Sequence, residues 1–402
     1  MNAVWRASVW VLLGGSLILA LSLGIRHGFG LFLPPMSAEF GWGREVFAFA
    51  IALQNLVWGL TQPFTGALAD RLGAMRVVVV GGVLYGLGLL LMGFADSPWS
   101  LSLSAGLLIG FGLSGTTFSI ILGAVGRALP PEKRSMGMGI AAAAGSFGQF
   151  IMLPGTLGLI GWLGWSSALI ALGLLVALIV PLAAMLRDRP LPVQAHEQSL
   201  GEALREASSH SGFWLLALGF FVCGFQVVFI GVHLPAYLVD RHLPAQVGTT
   251  VLALVGLFNI FGTYIAGWLG GRMSKPRLLT GLYLVRAVVI AAFIMTPLTV
   301  WSAYAFGIAM GLLWLSTVPL TNGTVATLFG VRNLSMLGGI VFLFHQIGAF
   351  LGGWLGGYLY DHTGSYDLVW QLSILLSLMA AALNWPVRER PVARLQAAGN
   401  AA

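Results

Sequence analysis

Charge is what this sequence has least of. Only 8% of its 402 residues are Asp, Glu, Lys or Arg, against 58% hydrophobic, and the mean hydropathy is +0.90. So little charge cannot cover a water-soluble globule of this length, so the chain belongs in lipid. There is one cysteine, Cys223, which excludes an intramolecular disulfide and leaves the redox compartment unread. The 13 acidic residues all fall between apolar runs or at their ends. An interior without a carboxylate offers no counter-charge to a cationic drug or to Na⁺. It also lacks a metal-ligand cluster and a nucleophile beside a base, so we expect no catalytic residue, no metal, no cofactor and no enzyme. A block of basic residues is missing too. The net charge of +7 is scattered singly or in pairs over short loops, which argues against a nucleic-acid partner.

What the chain does have is long apolar runs. A membrane-spanning backbone must satisfy its own hydrogen bonds, and runs of about twenty residues at about 1.5 Å each match a hydrocarbon core of about 30 Å. Spans are expected at 9 to 33, 45 to 68, 75 to 95, 99 to 123, 136 to 160 and 165 to 186, then 213 to 238, 246 to 270, 276 to 296, 300 to 323, 335 to 359 and 366 to 386. The first reads as a span rather than a cleaved signal, being too long for a signal core. Of the 20 Lys and Arg, sixteen from Arg6 to Arg394 then fall on one side, and only Arg44 and Arg241 on the other. The positive-inside rule therefore puts both termini in the cytoplasm, and Trp42, Trp99, Trp214 and Trp385 sit near span ends as interfacial aromatics do.

The polar stretch 188–212 reads as a cytoplasmic linker between an N-terminal half, 1–187, and a C-terminal half, 213–402. The halves resemble each other at a nearly constant offset. Leu33-Pro34-Pro35 matches Leu234-Pro235-Ala236, and Gly66 to Arg76 matches Gly267 to Arg277, both 201 residues apart. Ser135-Met136 matches Ser335-Met336 at 200. A parallel repeat of six spans relates the halves about an axis along the membrane normal, with a site between them.

The loop Gly66-Ala67-Leu68-Ala69-Asp70-Arg71-Leu72-Gly73-Ala74-Met75-Arg76 resembles the signature of major facilitators between spans 2 and 3. That resemblance implies an all-α polytopic fold, with twelve transmembrane helices in two pseudo-symmetric six-helix bundles. Asp70, Arg71 and Arg76 are expected to form a cytoplasmic latch between helix ends, and Gly271 stands in place of Asp70 in the second half, leaving one strong latch.

Ionisable residues inside spans are costly and mark pathways. Here they are Arg26, His27, His233, Arg286 and His345, none of them acidic. Such a cavity favours an anion. Asn55, Gln149, Gln226, Asn259 and His345 fall within about a turn of their span midpoints, a candidate ring at mid-depth on helices that line the cavity in major facilitators. Each also reads as interhelical glue. Arg26 is the first candidate to grip a carboxylate with its fork. On span 7, Gln226, His233 and Tyr237 share one helical face, as do Trp314 and Thr317 on span 10. Arg286 lies mid-span on a helix expected outside the cavity, and both a structural role and a second anion contact stay open.

Phe29-Gly30-Leu31-Phe32-Leu33-Pro34-Pro35-Met36, His345-Gln346-Ile347-Gly348-Ala349-Phe350-Leu351-Gly352 and Asp361-His362-Thr363-Gly364-Ser365-Tyr366 resemble the bacterial monocarboxylate porter and oxalate:formate antiporter branch. In that likeness His345 sits where the oxalate:formate antiporter carries a span 11 lysine, and His27 falls near the span 1 lysine of monocarboxylate porters. Their span 8 arginine is Thr263 here. The resemblance implies a secondary transporter for a small organic anion, a monocarboxylate, working by alternating access in a bacterial inner membrane, with lipid around it and as a monomer. His27 and His345 are the candidates for proton coupling, since imidazole titrates near about pH 6.5. Two rival readings are an exporter of amphipathic compounds or drugs and a membrane sensor with a transporter fold. Gly106, where proton-linked facilitators place an arginine, and a span 5 without their Gly-Pro pair argue against the exporter.

Overall fold

This computed structural model describes residues 3–186, 198–330 and 333–395, apart from the side chains of 3–7, 131–136 and 335. All regular elements among them are helical. Eleven segments are long and apolar enough to cross a bilayer: α1 Ser8–Phe40, α3 Ala74–Met92, α4 Pro98–Ala128, α5 Gly137–Leu163, α6 Trp165–Leu186, α7 Ser211–Asp240, α8 Ala245–Gly270, α9 Lys275–Met295, α10 Val300–Phe329, α11 Met336–Thr363 and α12 Asp367–Asn384. The twelfth long helix, α2 Arg44–Leu72, has 29 residues but is diluted by Gln54, Asn55 and Gln62. Large apolar side chains such as Phe64, Phe94, Trp162 and Leu375 stand exposed on the outside of the helical bundle, where only lipid would accept so many.

Local chemistry explains where the helices start and stop. Gly73, at φ +88°, joins α2 to α3 with a single residue, a conformation that side-chain-bearing residues rarely adopt. Pro34 and Pro35 do not end α1 at residue 33 as expected. A tight turn at Phe29–Phe32 leads into a helical segment Leu33–Phe40 that carries both prolines in its first turn, where the missing N–H costs nothing. α4 breaks at Thr117 (φ −118°, ψ −164°), between Ile109–Thr116 and Phe118–Ala128. α10 breaks 200 residues later, between Val300–Leu313 and Thr317–Phe329. The sequence repeat is thus also a repeat of helix discontinuities. Of the linker 188–212, residues 188–197 lie outside the described ones, and the remainder holds a short helix, Leu200–Ser208, capped reciprocally by Ser199 and Glu202.

In the first half α1 packs on α5 and α3 on α4 and α6, and in the second α7 packs on α11, α8 on α10 and α9 on α12. The halves meet mainly along α2 with α11 and α5 with α8. Lipid supplies little hydrophobic drive between helices, so small residues that let backbones touch carry the association. At Gly348 a Cβ would stand 1.9 Å from the Phe221 carbonyl oxygen, and at Gly224 1.7 Å from that of His345. α7 and α11 are in backbone contact.

The end bearing Arg44 and Arg241 is closed by bonds between halves. Arg44 pairs with Asp240 at 3.1 Å, the Glu45 N–H donates to Asp361 at 3.3 Å and Trp354 donates to Glu45 at 3.4 Å. At the opposite, basic end the described ion pairs Asp70–Arg127, Lys275–Glu389 and Glu206–Arg394 each avoid joining the two bundles. Gly348→Val should therefore separate α7 from α11 and destabilise the protein by about 3 kcal/mol or more. A thermal melt in detergent checks it, and an unchanged midpoint would refute the close-contact account.

Candidate functional site

Four polar side chains join the halves near mid-membrane. On α1, the Arg26 Nη2 donates to Asn55 Oδ1 at 2.5 Å, and its guanidinium carbon stands 5.5 Å from the Trp58 ring centroid. Asn55 spends its amide hydrogen on the Ile51 carbonyl (2.7 Å), which aims its oxygen at Arg26. From the other half, Gln346 Nε2 donates to the Asn55 carbonyl at 3.1 Å and to its Oδ1 at 3.3 Å. That fixes the Gln346 amide, so its Oε1 faces His345 Nδ1 at 2.8 Å as an acceptor. His345 must therefore carry a hydrogen on Nδ1.

Two buried atoms of this group meet no oxygen or nitrogen partner: Arg26 Nε, and His345 Nε2, which has only the Cys223 thiol beside it. A buried polar atom without a partner costs about 1–3 kcal/mol, so it is either strain or an invitation to a ligand. Aromatic rings fill the space beside them. Phe342 stacks on His345 at 5.2 Å, Phe220 lies 4.7 Å from it and Trp58 lies 4.9 Å from Phe342. One wall of rings thus runs from the arginine to the histidine. Beside Arg26 and His27 a cavity of about 20 Å³ opens between α1, α2 and α7, bounded by Gln54, Ile51 and Val228. It has room for about one water. His27 itself donates from Nδ1 to the Leu23 carbonyl at 2.6 Å.

The other expected residues lie elsewhere. Gln149 donates to the Leu252 carbonyl at 3.3 Å, and Asn259 donates to Ser146 at 2.8 Å, both across the α5–α8 contact. Asn259 also accepts the Leu315 N–H at 2.9 Å, capping the break in α10. Gln226 does not face the centre. It donates to the Ser373 carbonyl and Ser377 at 2.9 and 2.5 Å on α12 and accepts from Arg286 at 3.3 Å. His233 and Tyr237 do share its helical face, but they lie at the Arg44 end among Tyr366 and Trp370. Trp314 sits at the α10 break with its indole N–H unpartnered, and Thr317 lies 3.2 Å from Cys223 Sγ.

Arg286 finds neutral oxygens instead of a carboxylate. Its Nη2 donates to the Leu313 carbonyl at 2.5 Å and to that of Trp314, the two groups freed where α10 unwinds. This is the geometry of a structural clamp. The latch also differs from expectation. Asp70 pairs with Arg127 at 2.6 Å, whereas Arg71 and Arg76 are exposed. Nor is the second half without one, because Lys275 pairs with Glu389 at 2.8 Å and reaches Thr327 at 3.3 Å. Residue spacing within the signature loop could not show partners from α4 or the C-terminal segment. Gln346, Trp58 and Phe342 were missed for a similar reason: a neighbour of His345 in sequence should point about 100° away on a helix, and only the α2 contact shows that Gln346 reaches Asn55.

The profile of the Major Facilitator Superfamily matches residues 12–329. The chain belongs to that superfamily. Monocarboxylate transporter 11 of Mus musculus is 30% identical over 366 residues, covering 86% of this chain and 80% of that one. The human protein of the same name is 29% identical over 384 residues, 90% and 79% of the two chains. The uncharacterized MFS-type transporter YcxA of Bacillus subtilis (strain 168) is 24% identical over 395 residues, 93% and 94%. As a member of that superfamily, the protein is a membrane transporter for a small molecule.

If Arg286 clamps the α10 break, Arg286→Leu orphans two carbonyls and a Gln226 oxygen, at about 1–3 kcal/mol for each group. Its melting temperature should fall by several degrees without any ligand present, while exposed Arg71→Ala stays within about 0.5 kcal/mol of the parent. Equal melting of the two variants would rule the clamp out.

Proposed function

We propose that this facilitator carries a small organic anion, a monocarboxylate, gripped between Arg26 of the first half and His345 of the second. The observation that carries the reading is the pair of buried atoms without an oxygen or nitrogen partner, Arg26 Nε and His345 Nε2, one on each side of the half boundary. A carboxylate would take the arginine hydrogen with one oxygen and the histidine's with the other. With its first hydrogen on Nδ1, His345 can donate from Nε2 only after gaining a proton, so the anion and one proton bind together and cross as a neutral pair. The names of the mammalian relatives support the same substrate class. Alternating access follows from rocking the halves, 1–187 and 213–402, about the α2–α11 and α5–α8 contacts. We place the basic end and both termini in the cytoplasm of a bacterium, by the bias of basic loops, and assign the protein no enzymatic activity.

Labelled monocarboxylates offered to proteoliposomes test this, with and without an inward proton gradient. Flux should exceed that of empty vesicles and rise with the gradient. Arg26→Ala should lower uptake at subsaturating substrate by about 10- to 100-fold, the worth of one charged hydrogen bond. His345→Gln should keep exchange but lose the response to the gradient. Flux of a neutral or cationic amphiphile with none of a carboxylate would favour the exporter and sink the anion site.

A further inference from the structure

We propose that His233 is a proton-binding site that controls the seal at the Arg44 end, apart from the anion site. The seal is a chain of hydrogen bonds whose direction can be read link by link. Arg44 Nη1 and Nη2 grip the two Asp240 oxygens across the half boundary, each at 3.1 Å. Arg44 Nη1 also donates to the Tyr366 hydroxyl at 3.2 Å, and its guanidinium lies 4.4 Å from the Tyr360 ring centroid. The Tyr366 hydroxyl is 3.3 Å from His233 Nδ1, and His233 Nε2 is 2.7 Å from the Gly353 carbonyl oxygen.

A carbonyl only accepts, so Nε2 carries a hydrogen. A guanidinium only donates, so the Tyr366 oxygen accepts from Arg44 and its own hydrogen goes to Nδ1. The closed seal therefore holds His233 neutral, with both nitrogens used. The ring cannot turn away, because it packs directly on Gly356, where a Cβ would meet it at 2.4 Å. A second proton on Nδ1 would point at an oxygen already taken by Arg44. It would set two cations on one phenol and strip the phenol hydrogen of its acceptor.

The charged and titratable surroundings offer no relief. On α2 they are Arg44 and Glu45, the latter taking the Trp354 N–H. On α11 they are Tyr360 and Asp361, which receives the Glu45 N–H. At α12 they are Tyr366 and Asp367, which pairs with Arg241 at 3.5 Å, and on α7 itself Tyr237 and Asp240. Arg26 and His27 on α1 face Val232, around the helix from His233.

The proton thus binds the open form and not the closed one, and a ligand with that preference shifts the balance toward opening. An imidazole in contact with water titrates near pH 6.5, so lowering the pH from 7.5 to 5.5 shifts the open-to-closed ratio by about tenfold. The neutral imidazole's contribution to the seal is fully present above that range and weakens by about tenfold as the pH falls through it. Acid at this face opens the carrier to this face, whatever its substrate.

Spin labels at Ala38→Cys and Gln246→Cys, exposed positions on opposite halves at this end, in a Cys223→Ser background, report the opening as an interspin distance. The measurement uses the whole protein without substrate, so its outcome is independent of the anion reading. The longer-distance population should rise about tenfold relative to the shorter one between pH 7.5 and 5.5. His233→Asn, whose amide oxygen can still take the Tyr366 hydrogen, should flatten the response, and His345→Gln should preserve it. If His233→Asn does not fold, His233→Gln replaces it, its amide N–H kept for the Gly353 carbonyl. A parent without a pH response, or a response that survives in the His233 variant, overturns the proposal.

Discussion

A guanidinium inside a helical bundle that holds no interior carboxylate must be satisfied by neutral oxygens, and much of this architecture follows from that constraint. Arg286 meets it by taking two carbonyls that a continuous α10 would have bonded internally. The break in α10 and the arginine on α9 are therefore one feature, each making the other affordable. Arg26 meets it only in part, with the Asn55 oxygen and the face of Trp58, and keeps Nε without a partner. Arg286 keeps its Nε without a partner as well, so what separates the two is place: Arg286 holds the α10 break within one half, whereas Arg26 stands beside the contact between halves through Asn55.

The same economy governs the contact between halves. Asn55 with Gln346, and Asn259 with Ser146, bridge the α2–α11 and α5–α8 seams with neutral amides and hydroxyls. Such bonds in a membrane contribute only about 0.6–2 kcal/mol each, so neither seam is locked by its polar contacts. The charged contact is kept for the Arg44 end, where Arg44 and Asp240 are partly exposed and water can take over both partners once they part. Asn259 adds a second connection, since it holds Ser146 of the other half and the Leu315 N–H at the α10 break together. Motion at one seam is thereby tied to the helix that carries Trp314.

Much of the fold was legible because lipid makes sequence speak plainly. Length of apolar run and the offset of about 200 residues gave helix count and the division into two related halves without knowledge of any contact. The refinements arose where two residues of one type have different surroundings. Pro34 and Pro35 read as a terminator, yet they open a new helical segment. Asp70 read as bonding within its own loop, yet Arg127 reaches it from α4. Gln226 and Asn55 lie at similar depth, but one turns to α12 and the other to α1, and depth alone carries no azimuth.

The sequence by itself determined that this is a membrane protein of two related six-helix halves, with an interior that is basic and never acidic, because those properties are sums over residue types and their spacing. Only the tertiary structure decided which basic groups hold a helix break within one half and which stand at the contact between halves. That depends on where each helix face points and which backbone carbonyls are exposed nearby, and both are set by helices distant in the chain. It was the packing of α11 against α2 that brought His345 and Arg26 onto one wall, and the packing of α7 against α11 and α12 that took His233 out of the site and into the seal.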